Sequence, residues 1–442
     1  MPADAGQAVL LPLLLLSSLV CGAAGAEQVP PAAMEQPLER LELKEGWIDS
    51  QRLLALPDWI DLGFSVTAEP MINPLGGERR TSAWMGQTSL SLTVGSGLAR
   101  PLPRRRELDR WSIGVLVNHF GGNPEYAEAV GALFPLQQTA YPEGFLLSEL
   151  SVNRGGDADR LSLKAGIVPL NPTFVAAPVM DLHVHSAFNN TLNINQAGLP
   201  INPYAALGGI VSVRPAPELR LDAGWFDLSS TGPVARWLGS PPLRERPPGG
   251  SARLLQLSWR PSPPAAETEG TIRACRSAAG LTRPRGPCTR PMAVEDQLPA
   301  RLLSVGGYHT SRQGSGIYGS ATWRSGLPLG LDERLWIGAA LASDPDSTVA
   351  PGFLAGGLVV QGPLAGRPLD RLVLGAGRTS LSRAATPQRP SGWEGVIELG
   401  YQLQLNRALT LQPTLQWILH PSGAERPVPG ILAAGLQLTV DF

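Results

Sequence analysis

Apolar and polar residues alternate along much of this chain with a period of two. At the C-terminus, ILAAGLQLTVDF places Leu432, Ala434, Leu436, Leu438, Val440 and Phe442 on one face. Ile431, Ala433, Gly435, Gln437, Thr439 and Asp441 fall on the other. Upstream, LTLQPTLQWILH sets Leu409, Leu411, Leu415, Trp417 and Leu419 against Thr410, Gln412, Thr414, Gln416 and His420. In EGVIELGYQLQLN, Ile397, Leu399, Tyr401, Leu403 and Leu405 oppose Glu398, Gln402, Gln404 and Asn406. Only Asn406, Arg407 and Ala408 separate those two segments, which reads as a tight hairpin. Near the start, Leu62, Phe64, Val66 and Ala68 oppose Asp61, Ser65, Thr67 and Glu69. Successive side chains of an extended chain point to opposite faces, so each segment reads as a strand with one apolar face.

The same reading predicts strands at 59–72, 84–97, 110–121, 144–154, 159–169, 205–214, 218–228 and 251–260. It continues with 301–310, 316–325, 333–343, 353–362, 370–382, 394–406, 409–420 and 431–442, sixteen in all. Short connections such as 155–158, 215–217, 326–332 and 407–408 alternate with long ones such as 73–83, 122–143, 170–204 and 229–250. Segment 261–300 departs from this rule: by parity it should be a short turn, yet it runs to about forty residues. Either it is an insertion on the short-turn side, or a strand pair is miscounted there.

Composition sharpens the picture. Charged residues are 17% of the 442, against about 25% in typical soluble domains. The formal net charge is −1, which gives no electrostatic case for a nucleic-acid partner. Residues 1–26 read as a secretory signal: an apolar run from Val9 to Val20, then Ala24-Gly25-Ala26 before Glu27. A membrane anchor is the alternative, but the run is short for a span. Residues 27–58 then form an N-terminal periplasmic segment, and 59–442 the strand-rich region. Cys275 and Cys288 remain after cleavage, and in an exported chain a disulfide between them is the first expectation.

No later segment has 18 consecutive apolar residues, so insertion in a bilayer requires a closed barrel. Strands of about ten residues joined by alternating short turns and long loops fit an antiparallel up-and-down outer-membrane β-barrel. A soluble all-β sandwich or propeller would also alternate. Against these, there is no fixed-period repeat, and the polar faces carry Gln, Ser, Thr, Gly and Asn rather than Lys and Glu. Uncharged hydrogen-bonding groups suit a water-filled lumen.

Candidate chemistry is sparse. His183-Val184-His185 could present two imidazoles on one face, but no carboxylate or thiol set stands at ligand spacing, so no metal and no cofactor are expected. No Ser–His pair suggests hydrolysis. Arg79 and Arg80, in Gly76–Arg80, supply guanidiniums suited to anions or vicinal hydroxyls. Loop 170–204 is too apolar for a free excursion: Phe174, Val175, Val179, Leu182 and Phe188 call for burial, which folding into the barrel would provide. On the strands, Glu69, Glu149, Lys164, Arg220, Asp222 and Glu398 are the lumen-facing charges, of both signs. Glu149, Lys164, Asp181 and His183 join the two arginines as candidate pore residues.

Several stretches resemble the carbohydrate-selective porins of the OprB family. These are VVQGPLAGRPLDRLVLGAGRTSLS (359–382), ELGYQLQLNRALTLQPTLQWILHPSG (398–423) and the terminal strand. GFSVTAEPMINPLGGERR resembles the family's first strand and loop, and KAGIVPLNPTFVAAPVMDLHVHSAFNNT its constricting loop. The resemblance spans roughly residues 47–442. It implies a sixteen-stranded channel that passes sugars by diffusion in the outer membrane of a Gram-negative-type cell, with Arg79 and Arg80 at the pore mouth. Its partners are outer-membrane lipid and small sugars, with a homo-oligomer open. Two alternatives stand beside it: a pore selective for ions or small anions, and a structural barrel with a filled lumen.

Overall fold

The computed structural model describes residues 56–57, 59–95, 111–155, 159–171, 173–175, 177–189, 198–239, 249–261, 298–325, 332–364, 367, 369–384, 387, 392–405 and 408–441. Cys275, Cys288, Phe442 and the signal region lie outside these. The strands are β1 (Ile60–Leu75), β2 (Ser82–Gly95), β3 (Trp111–Gly122), β4 (Gly144–Arg154), β5 (Leu161–Val168) and β6 (Ala206–Ala216). There follow β7 (Leu219–Asp227), β8 (Ser251–Trp259), β9 (Arg301–Thr310), β10 (Gly314–Arg324) and β11 (Asp332–Ala342). The last five are β12 (Gly352–Gln361), β13 (Arg371–Ser380), β14 (Trp393–Gln404), β15 (Leu409–Leu419) and β16 (Ile431–Asp441).

Each strand pairs antiparallel with the next, and β16 pairs with β1, so the sheet closes into a sixteen-stranded barrel. Closure leaves no open edge, the condition for backbone polar groups to survive in lipid. At the seam Ser65 to Ala68 face Asp441 to Leu438 in register, and the Thr67 and Thr439 hydroxyls lie 3.3 Å apart. β8 and β9 hydrogen-bond directly, from Ala252↔Thr310 to Trp259↔Leu303. No strand pair is therefore missing between them, and the connection through 262–297 leaves from the short-turn end.

The apolar face points outward. Leu90, Ile113, Leu255, Val305, Ile317, Leu399 and Leu415 are exposed on the outer wall. Exposed tryptophans form two belts: Trp59, Trp111, Trp259 and Trp323 near the short-turn end, and Trp84, Trp225 and Trp417 near the long-loop end. Aromatic belts at both interfaces mark a membrane barrel, with its short turns in the periplasm and its long loops outside the cell.

Inside the barrel the burial is of a different kind. A cluster of fully buried apolar residues includes Leu136, Phe174, Val175, Val179, Met180, Val184 and Phe188, all of them from loops rather than strands. The β3–β4 connection carries a short helix α1 (Tyr126–Val130), and the β5–β6 connection a 3-10 turn (Met180–Leu182) and a one-turn helix α2 (Ser186–Asn189). The first loop is a tight turn built on Gly76 and Gly77, both at positive φ, 74° and 75°. A Cβ on Gly76 would lie 1.7 Å from the Gly430 carbonyl oxygen, so only glycine lets these loops approach.

Candidate functional site

Two loops fold into the lumen, and glutamates on the wall hold them. Loop 169–205 leaves β5 and returns in β6, yet its middle docks on β14, half-way round the barrel. Glu398 there accepts the backbone N–H of Val184 with one carboxylate oxygen and that of His185 with the other, both at 2.8 Å. The β15 amide of Gln412 donates to the Leu182 carbonyl at 2.8 Å. On the other flank, Gln256 of β8 donates to the Thr173 carbonyl at 3.0 Å and accepts the Val175 N–H at 2.9 Å. Val175 has φ 68°, a conformation costly for a β-branched residue, and the Gln256 clamp holds it there.

Loop 123–143 is held in the same way. Glu394, one helical-turn spacing from Glu398 but here on the same inward strand face, accepts the N–H groups of Leu133 at 2.9 Å, Phe134 at 3.2 Å and Ser422 at 2.7 Å. Glu69 of β1 accepts the Thr139 N–H at 2.9 Å and the Gln437 amide at 2.6 Å. Gln416 of β15 donates to the Leu136 carbonyl at 2.9 Å. Ser186 ties the two loops together, its N–H and hydroxyl both donating to the Pro135 carbonyl. A carboxylate that accepts two backbone N–H groups is worth roughly 1.5–3 kcal/mol per bond, so each anchor holds its loop firmly.

Packing completes the docking. Three inward glycines form notches in the wall, each filled by a loop ring. A Cβ on Gly224 would come 2.7 Å from Phe174, on Gly375 2.5 Å from His183, and on Gly377 2.7 Å from Phe188. His183 is wedged between Phe188 and Trp336, with ring centroids 4.7 and 5.3 Å away.

The candidate pore residues separate accordingly. Arg79 and Arg80 are exposed on the β1–β2 turn at the long-loop end. The Asn73 amide holds that turn by donating to the Arg79 carbonyl at 2.7 Å. Glu149 and Lys164 come together across β4 and β5 as an ion pair of 2.8 Å, with side chains 16% and 32% exposed. Asp181 is exposed on the constricting loop. The surrounding wall pushes its carboxyl up, to about 7, by desolvation, a rise that pore water tempers. His183 is a correction: its side chain is 0% exposed, with Nδ1 3.6 Å from Glu398, because the Gly375 notch accommodates its ring. It packs the loop and cannot meet a solute. Glu69, Asp222 and Glu398 are also correctly read as inward but are buried, at 1%, 1% and 0% exposure. Asp222 pairs with Arg220 at 2.7 Å.

Most of the accessible wall between these pairs is uncharged, though Arg324 and Asp332, paired at 2.6 Å, also reach the lumen near the short-turn end. Thr67, Gln87, Ser89, Gln402, Gln404, Thr410, Gln437 and Thr439 are part-exposed on inward faces. The sequence reading missed the role of Glu394 altogether. The available signal was two glutamates four apart on one inward strand face, where a solvated lumen needs no such pair. Among the described residues no group of three or more His, Cys, Asp or Glu is placed to hold a metal ion.

A closed sixteen-stranded wall with inward-folded loops and a polar inner surface is the geometry of a diffusion channel. Over residues 114–442 the sequence matches the carbohydrate-selective porins, OprB family. The chain belongs to that family. It is an outer-membrane porin. The fold of this porin is similar to the high-pH structure of OprB from Pseudomonas putida, at TM-score 0.66 and 16% identity, covering 89% of this chain and 96% of that one. The low-pH structure of the same protein gives TM-score 0.52 and 14% identity over 89% and 96%. No curated protein matches the chain by sequence.

Proposed function

We propose that this porin passes small neutral saccharides by passive diffusion, with loop 169–205 setting the width of the path. The observation that carries the reading is the lining. Its accessible groups are largely amides and hydroxyls, while Lys164, Arg220 and Arg324 are each matched by an acid. Paired charges leave little net field, so an ion gains less from this lumen than a solute that hydrogen-bonds. Contacts of this kind are individually weak, as flux requires, since a tightly held solute blocks its own path. The family's carbohydrate selectivity supports the same assignment.

The exposed Arg79 and Arg80 favour one second reading, a pore preferring small anions. Single-channel recording of the refolded protein in a planar bilayer separates the two. Open current that glucose or a maltooligosaccharide reduces, with a reversal potential near zero in a KCl gradient, is expected. Strong anion selectivity with no response to sugar supports the second reading. No current from folded protein means the two loops fill the lumen, and both fail.

A further inference from the structure

The outer wall carries a feature that diffusion through the lumen does not use. Across β7 to β10, the outward side chains of Leu221, Leu255, Leu257, Val305 and Ile317 border a groove of about 540 Å³. Gly307 forms part of its floor; a Cβ there would meet only the Gly316 carbonyl oxygen, at 3.4 Å. At the long-loop end of this groove stand Arg253 and His309, register partners on β8 and β9, and both line it. Both are exposed, and Trp225 of the aromatic belt faces Arg253 from β7.

We infer that this groove binds a phosphate-bearing lipid of the outer leaflet, one acyl chain lying along it and the phosphate held by Arg253 and His309. The height is right: these two residues lie level with the belt that marks the interface on the cell's outer side. A guanidinium on a lipid-facing wall needs an anion, and phosphate accepts its planar fork at two points. Basic residues at such an interface are how membrane proteins recognise anionic headgroups. The groove begins directly below, so headgroup and chain are engaged together.

Charge favours a lipid over a second copy of the chain. At this height the other outward residues on or just beyond the strands include His119, Arg378 and His420. Arg378 lies over the Trp393 ring at 4.6 Å. Of the carboxylates there, Asp227 caps the Ser229 N–H at 3.0 Å and Asp344 the Asp346 N–H at 3.0 Å. A second copy docked face to face on this groove would bring Arg253 against Arg253, whereas an anionic lipid neutralises it.

Native mass spectrometry of the full chain tests this, in nanodiscs of phosphatidylcholine doped with diphosphorylated lipid A. Wild type is expected to retain one lipid A under activation that strips phosphatidylcholine. The double variant Arg253→Gln, His309→Gln should weaken retention by roughly tenfold, the loss expected when charge-assisted contacts go. Gly307→Leu fills the groove with Arg253 and His309 intact and should weaken it too. Channel conductance should be unchanged in both variants. Equal retention of lipid A by wild type and variants, or no preference over phosphatidylcholine, overturns the inference and leaves ordinary boundary lipid. A dimer or trimer mass that Gly307→Leu alone abolishes also overturns it, by placing a second copy in the groove.

Discussion

The carboxylate of Glu398 accepts the backbone N–H of Val184 at 2.8 Å across 214 residues of sequence. That one contact joins a loop from one side of the barrel to the wall opposite. It converts an apolar excursion into a fixed constriction, because the loop's own backbone donors are satisfied only when it is docked.

Glu398→Ala should therefore unseat the loop. Two N–H groups lose a charged acceptor, a cost of roughly 3–6 kcal/mol if neither is replaced by water. Glu398→Gln keeps one acceptor oxygen but sets an amide N–H₂ against a donor, so its effect should be intermediate. Single-channel conductance should rise and become noisier in the order wild type, Gln, Ala. Unchanged conductance in the Ala variant would show that Gln256 and the glycine notches suffice.

Acid should loosen the same loop through His185. Its Nδ1 accepts the Ala187 N–H at 3.1 Å, which requires a neutral ring. Burial lowers its pKa from 6.5 to about 4. A released loop would titrate at its ordinary value, so the docked state is fully favoured above pH 6.5 and loses stability as pH falls toward 4. Open-channel noise should grow over that window. His185→Asn, which keeps an acceptor near the Ala187 N–H but does not titrate there, should be indifferent to it. Identical acid noise in both proteins would remove His185 from the account.

Much of the barrel was legible because period two is a direct readout of a wall with two solvents. The hairpin read from Leu403 and Leu411 is present as a register pair, and closure of the last strand on the first follows from an even strand count. Loop 169–205 was legible for the same reason, since Phe174 and Phe188 had nowhere else to be buried. The anchors were not. Glu69 and Glu398 read from sequence only as lumen charges and Glu394 does not stand out, because nothing local distinguishes a carboxylate facing water from one facing a peptide N–H. Glycine notches such as Gly375 were equally silent, because their partners lie far away in sequence.

Asp181 should make ion selectivity depend on pH. It is exposed on the constricting loop, where partial desolvation raises its carboxyl above the usual range, toward about 7, so it ionises between 3.8 and about 7. Once ionised it adds a negative charge to a lumen in which pairs such as Lys164–Glu149 and Arg220–Asp222 cancel, so cation preference should increase from pH 5 to pH 8. The same shift means that docking loses stability as pH rises from 3.8 toward 7, opposite in sign to the His185 effect. Asp181→Asn should flatten the reversal potential across this range. A slope that persists in the variant would assign it to another group.

Gly375→Leu tests the docking by sterics alone, without touching a hydrogen bond. Its side chain would occupy the notch where His183 sits, 2.5 Å from Cε1 at the first carbon. The wall cannot yield there, because β13 is paired on both sides. The loop must move instead, taking Phe188 from its seat beside Trp336, and burial of such a side chain is worth about 1.5–3 kcal/mol. The variant should fold as a barrel, judged by unchanged strand content in circular dichroism, and show the raised conductance predicted for Glu398→Ala. If loop position sets the pore, combining the two changes should add little to either alone, since both release the same element. Fully additive increases would mean that the two residues act on different parts of the path.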